Sequence, residues 1–161
     1  NPMLRALGKI PSGIFVITTT HGGGVGTLVS FVQQVGMEPL LIMLAVKKGR
    51  AILHALRSDS QPEPLRFVVN IAATGDKALL KKYAQKEMTG AEAFAGVPHL
   101  KLDSGQVVLK DAYAYLECQV VQVVDVGGDH DLILGRPLSG ALLGDPLRKP
   151  AVHLRRDGGK Y

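Results

Sequence analysis

At 161 residues, 46% of them apolar, the chain is long enough to bury a sizeable core, and a single globular domain over residues 1–161 is the expectation. Its formal net charge of +5 suits anionic ligands, but the cations are scattered; with four Phe, four Tyr and no Trp there is no aromatic stacking surface, so no nucleic-acid partner is expected. One cysteine, Cys118, excludes an internal disulfide and a thiolate metal site, and its apolar setting marks it as core.

The longest apolar run, residues 40–46, is too short to cross a bilayer, and no basic, apolar and small-residue series opens the chain. A soluble cytoplasmic protein, with no membrane partner, is the expectation. The first residue, Asn1, is not an initiator methionine, so a longer natural chain is consistent with the sequence.

Residues 14–20 (IFVITTT) are rich in β-branched side chains and stop at His21 and three glycines, after which residues 25–32 are again strand-like. The pair is predicted to form a hairpin with a glycine-rich tip. These glycines do not read as a dinucleotide loop, because no helical pattern follows them. Within residues 25–39, Thr27, Ser30, Gln33 and Gln34 bring polar atoms into an apolar region. They fit either the wall of a cofactor site or an exposed strand face, since period two separates Thr27 and Phe31 from Ser30 and Val32.

Pro39 introduces residues 40–46, a continuous apolar run expected as a central strand buried on both faces. Lys47-Lys-Gly-Arg50 then opens a helix expected to reach Leu56, with Ile52, Leu53 and Leu56 on its apolar side. Free N–H groups at that helix start, together with the cations, suit a phosphate; a solvated basic loop has the same composition. Pro62 and Pro64 punctuate the loop before a strand at 66–72, and Asp76 is the expected N-cap of a helix reaching about Lys86, with Leu79, Leu80 and Tyr83 on its apolar side.

Ala112, Ala114, Leu116, Cys118 and Val120 alternate with more polar residues, and then the apolar phase moves to Val121 and Val123, which a β-bulge would cause. A turn at Gly127 and Gly128 leads into a strand over 131–143, and residues 151–155 are expected to add a last one. Asp129 and His130 sit in the turn, either as a structural step or as an imidazole oriented by a carboxylate. The five histidines show no metal-ligand spacing, so no metal is expected. Many strands and few helices, without alternating βα units, predict a mainly β fold with a few α elements: an antiparallel Greek-key barrel.

Taken in order, these segments resemble the flavin reductase-like family of FMN-binding split barrels, including the reductase-like C-terminal module of flavodiiron proteins. The resemblance runs through Gly13-Ile-Phe-Val-Ile-Thr-Thr19, Thr27, Ser30-Phe31, Glu38-Pro39 and Ala45-Val-Lys-Lys-Gly-Arg-Ala-Ile52. It continues through Phe67-Val-Val-Asn-Ile71, Phe94-Ala-Gly-Val97, Asp111-Ala-Tyr-Ala-Tyr-Leu-Glu-Cys118 and Gly128-Asp-His130 to the closing Ala151-Val-His-Leu-Arg-Arg-Asp-Gly-Gly-Lys-Tyr161.

The resemblance implies an FMN-binding split β-barrel that transfers hydride from NADH or NADPH to flavin, FMN rather than FAD. It places Thr27, Leu28, Val29, Ser30 and Phe31 along the flavin, Lys48 and Arg50 near its phosphate, and Asn70, Ile71 and Ala72 on the strand beside it. His130, supported by Asp129, is the implied catalytic residue on the nicotinamide side. Val29 and Gln33 stand where many members carry hydroxyl residues. A homodimer is implied, and a protein electron acceptor is a further expected partner. The alternatives are a non-catalytic FMN-binding or electron-relay module of a larger flavodiiron-type system, a pyridoxamine-phosphate-oxidase-like barrel and an interaction barrel without flavin.

Overall fold

The computed structural model describes residues 1–57 and 64–160. Pro62, expected in the loop before the 66–72 strand, lies outside the described residues. The first hairpin forms as its composition dictates. Strand β1 (Phe15–Thr19) pairs antiparallel with β2 (Val25–Val29) across a short 3-10 turn, and Gly22, Gly23 and Gly24 all adopt positive φ there. His21, at the start of that turn, accepts the Arg66 amide through Nε2 at 3.1 Å.

The apolar stretch after β2 does not continue as one strand. It breaks at Ser30 and Phe31 and resumes as β3 (Val32–Met37), which pairs with β4 (Leu40–Lys47). After helix α2 (Ala51–Leu56) come β5 (Arg66–Ile71), helix α3 (Lys77–Tyr83), short β6 (Met88–Thr89), β7 (His99–Lys101) and β8 (Val107–Leu109). Two long strands follow, β9 (Ala114–Asp125) and β10 (His130–Leu142); a short helix, α1 (Pro2–Leu7), precedes β1.

The main sheet runs β3-β4-β10-β9-β5-β1-β2-β6, and all its pairings are antiparallel. Laid flat, the separation from β3 to β2 would be about 29 Å at ordinary strand spacing. Yet only Ser30 and Phe31 lie between Val29 and Val32, a chain span of at most about 11 Å. The sheet must therefore curl until β2 faces β4, which makes a barrel with a split along that line. The antiparallel split barrel expected from the sequence is what forms.

Ile17, Leu44, Phe67 and Ile133 fill the barrel interior, and α2 adds Ile52, Leu53 and Leu56. The bulge expected from the phase shift is present: Leu134 faces Gln122 and Gly135 faces Val120, so Val121 is the extra residue. Gly135 is needed beside it, because a Cβ there would meet the Phe67 ring at 2.6 Å.

Four expectations are corrected. The strands buried on both faces are β1 and β5: Val16, Ile17, Thr18 and Thr19 on the first and Phe67, Val68, Val69 and Asn70 on the second are all buried; β4 buries only Ile42, Leu44 and Val46 and leaves its other face half-covered. That is the signature of a strand near a sheet end, and β4 is second in the order. Helix α3 stops at Tyr83, not near Lys86. Residues 151–155 form no strand; this segment is held by an isolated bridge between Ser12 and His153, beside another between Ala73 and Pro150. The segment after α3, which Gly90, Gly96 and Pro98 mark as a loop in the sequence, carries β6 to β8, whose apolar runs are too brief to register as periodic.

A second, smaller core lies outside the barrel wall. Val16 on β1 and Val107 and Leu109 on β8 meet Leu79 and Tyr83 of α3. Period two explains the division, since Val16 and Ile17 are neighbours on opposite faces of β1.

Candidate functional site

The split between β2 and β4 opens into a cleft of about 420 Å³, within the usual range for small-molecule sites. One wall is the end of β2, with Thr27, Leu28, Val29 and Ser30; the opposite wall is Ala45, Val46 and Lys47 on β4, with Arg50 beyond. Leu80, Tyr83, Ala84 and Gln85 from the end of α3 cover a third side, and Ile14 and His153 close it.

Local sequence explains these positions. Gly26 lets the Tyr83 ring lie on β2, since a Cβ there would meet Cε1 at 2.5 Å, and the Tyr83 hydroxyl donates to the Ala93 carbonyl at 2.7 Å. At the closed end of the split, the Ala45 amide donates to the Phe31 carbonyl at 2.9 Å, joining the β2–β3 segment to β4.

The predicted residues separate into groups. Thr27, Leu28, Val29, Ser30 and Arg50 converge on the cleft. Ser30 has a buried hydroxyl oxygen with no hydrogen-bond partner among the described residues, an orphan that a bound molecule would satisfy. Phe31 lies one residue beyond the cleft wall, its ring tilted against His130 with centroids 5.7 Å apart.

Lys48 is directed elsewhere: its ammonium pairs with Asp125 at 2.9 Å and with buried Asp131 at 3.8 Å. The hydrogen bond to Asp125 is the main reason its pKa is raised. Lys47, part of the basic run at the helix start but not among the residues the resemblance placed near the phosphate, is the lysine on the cleft wall. Adjacent lysines at a strand end point apart, and only the register of β4 against β10 shows which one faces the cleft.

Asn70 is fully buried and fully engaged. Its amide nitrogen donates to the Val16 carbonyl and to Thr18 Oγ1, and its Oδ1 accepts the Leu109 amide, at 2.9–3.0 Å. It ties β5 to β1 and β8 and does not line the cleft. Ile71 packs against the barrel core, and Ala72 acts through its backbone: its N–H donates to the Ile14 carbonyl and its carbonyl accepts the Ala151 amide.

The start of α2 is capped by the protein itself. Glu87 accepts the Ala51 and Ile52 amides at 2.7 and 3.1 Å, so a carboxylate fills the place proposed for a phosphate. What remains for an anion is the pair of side chains Lys47 and Arg50, neither of which has a carboxylate partner among the described residues.

His130 begins β10 directly opposite Lys47, and its Nδ1 lies 2.8 Å from Asp129 Oδ1. The hydrogen bond from His130 holds the Asp129 carboxyl below the ordinary carboxylate range. An ionised Asp129 fixes the orientation of the ring through Nδ1. Behind the turn, Asp131 is buried and takes Arg57 at 2.8 Å, which anchors the strand start. Cys118 lies in the barrel interior, where burial pushes its thiol up to about 12, so it is protonated and inert.

Comparison with known proteins gives a consistent outcome. Residues 7–160 match the family described as a flavin reductase like domain. The chain is 33% identical over 159 residues to diflavin flavoprotein A 1 of Synechocystis sp., covering 98% of this chain and 26% of that protein. A diflavin flavoprotein of Nostoc sp. is 34% identical over 161 residues, with 99% and 27% covered, so the chain spans about a quarter of the curated relatives it matches. Among solved structures, flavin reductase PheA2 superposes with a TM-score of 0.75 at 26% identity, covering 98% of this chain and 92% of PheA2. Flavin reductase HpaC, complexed with NADP+, gives 0.76 at 26% identity, with 96% and 91% covered. The NADH:FAD oxidoreductase SgcE6 of Streptomyces globisporus gives 0.80 at 23% identity, with 94% and 86% covered, a likeness of fold.

Proposed function

Because the chain belongs to the flavin reductase-like domain family, we propose that it binds a flavin nucleotide, FMN, in the cleft and reduces it with NADH or NADPH. The observation that carries this reading is the Ser30 hydroxyl on an apolar wall, with Lys47 and Arg50 on the opposite side, none of the three having a hydrogen-bonding or carboxylate partner for its polar side-chain end among the described residues. A flat apolar ring with polar edges and a phosphate tail matches that arrangement. A single phosphate pairing with those two cations is the reason for preferring FMN to FAD.

The chemistry supplied by a flavin is hydride acceptance from a dihydronicotinamide. The residues of this chain bind and orient. Leu28, Val29 and Tyr83 exclude water from the ring plane, and Ser30 donates to a ring-edge acceptor. Thr27 presents a second hydroxyl from the same strand. Lys47 and Arg50 neutralise the phosphate. His130, oriented by Asp129, lines up the nicotinamide or holds a proton at Nε2; hydride transfer itself depends on positioning more than on acid or base strength.

A homodimer fits the exposed apolar residues around the β3–β4 turn, where Met37 is 83% and Leu40 54% exposed. The coverage of the diflavin relatives favours a second reading, an electron-relay module that passes electrons to a protein acceptor in a larger system. The two separate cleanly. A visible spectrum is recorded with added FMN or FAD, before and after anaerobic NADH or NADPH. Bound FMN bleached by a nicotinamide nucleotide supports the reductase; bound flavin that is not bleached supports the relay; no flavin bands with either flavin would sink both. Replacing His130 with Ala should slow flavin reduction in stopped flow more than it weakens FMN binding, and an unchanged rate would reject its role.

A further inference from the structure

The C-terminal segment supplies a cation that the reading above leaves unused. After Pro150, backbone bonds tie the chain to the barrel: the Ala151 amide to the Ala72 carbonyl at 2.9 Å, and Ser12 with His153 in both directions at 3.0 and 2.7 Å. Extended backbone then alternates its side chains. Val152 and Leu154 are exposed at 70% and 61%, while His153 and Arg155 turn inward. His153 reaches the cleft wall, and the Arg155 guanidinium lies 5.1 Å from the centroid of the Phe31 ring. Phe31 in turn meets His130 with the rings tilted at 57°, so Arg155, Phe31 and His130 form one contact series, and His130 pairs across the strands with Lys47 of the cleft wall.

The charge of Arg155 has no carboxylate opposite it among the described residues. Among the described residues its side chain makes two long hydrogen bonds, to the Gly158 and Leu7 carbonyls, both at 3.5 Å. Several other cations are committed: Lys48 to Asp125 and Asp131, Arg57 to Asp131, Arg66 to Glu117 and Arg148 to Asp76. Lys47 and Arg50 stand on the β4 wall. A guanidinium placed over an aromatic face and held by only long hydrogen bonds can turn its N–H fork to a phosphate and bind it in bidentate fashion.

We propose that Arg155 is a specificity-determining residue that binds a phosphate of the nicotinamide nucleotide, with the Phe31 ring and the Ala151–His153 backbone ties holding it in place. The proposal rests on the reductase reading, since His130 marks the side from which the nicotinamide arrives. A dinucleotide donor carries its pyrophosphate a few bonds from the reacting ring, and NADPH carries a further 2′-phosphate; both have the chemistry that Arg155 offers.

The test uses Arg155→Gln and Arg155→Lys in the whole chain, with three hydride donors: NADH, NADPH and N-benzyl-1,4-dihydronicotinamide, which has no phosphate. Arg155→Gln should raise KM by about tenfold or more for a phosphate-bearing donor, with kcat and the flavin Kd held within about twofold. A rise with both nucleotides assigns the pyrophosphate, and a rise with NADPH alone assigns the 2′-phosphate. Arg155→Lys, which keeps the charge and loses the fork, should recover part of the KM. The rate with the benzyl donor should not move in either variant. Unchanged KM for both nucleotides overturns the proposal, as does an equal loss with the benzyl donor, which would mean a general structural role. A native chain that binds flavin yet fails to reduce it with any of the three donors removes the reductase reading itself, a result distinct from either.

Discussion

The cleft has two kinds of wall. The barrel wall, β2 and β4, is backed by a core in which fourteen described side chains are buried together. The covering wall, α3, is backed by a cluster of six, and the C-terminal segment beside it is held by isolated backbone bonds. Hydrophobic stabilisation scales with apolar area removed from water, so the barrel wall is the stiffer by construction. The difference teaches that affinity and stability should respond to different substitutions in one small site. The cations proposed to meet phosphate sit on the barrel wall and on the C-terminal segment, and the more lightly packed side is the one that can shift at low cost.

The largest test of this division is Phe67→Ala. The ring is fully buried against Gly135, and its loss should cost about 3–5 kcal/mol in denaturant unfolding. A cost near that of a change at Tyr83 would break the distinction between the walls.

Asn70→Ala comes next. It strands the Leu109 amide, the Val16 carbonyl and Thr18 Oγ1, and should cost about 2–3 kcal/mol while leaving flavin affinity of the folded protein within about twofold. Weakening of flavin binding by more than stability explains would return Asn70 to the site.

Tyr83→Phe keeps the ring on Gly26 and removes only the bond to the Ala93 carbonyl, so it should cost about 1 kcal/mol, or about 2–4 °C in Tm. Because this bond ties down the covering wall, flavin dissociation should quicken in the same variant.

The smallest effect concerns pH. Burial is the main cause that raises the Asp76 carboxyl above its ordinary range, against the pull of Arg148 at 3.9 Å. With the folded value above the unfolded one, the native state holds the proton more tightly. Stability therefore falls as pH rises from the ordinary carboxylate range through the raised value. Asp76→Asn should flatten that part of a Tm profile, and an unaltered profile would show that the carboxyl does not contribute.

Much of the architecture was legible because it depends on local periodicity. The β-branched run ending in His21 and three glycines specifies the first hairpin, and the shift from Val120 to Val121 marks the bulge that makes room for Phe67. Thr27, Leu28, Val29, Ser30 and Arg50 could be placed by resemblance, and the structure brings them to one cleft. Period two is a property of the chain alone, so a sequence suffices to read it.

Only the tertiary structure decided which of those side chains a ligand could meet. Lys47 rather than Lys48 faces the cleft because β4 pairs with β10 in the register that sets Lys47 opposite His130. Asn70 is consumed by Thr18, Val16 and Leu109, and Glu87 caps a helix that begins 36 residues before it. Arg155 reaches Phe31 across most of the chain. Each of these contacts joins residues far apart in sequence, brought together by strand order and by the curl that puts β2 opposite β4. No local pattern carries that information, because it arises only when the sheet closes on itself.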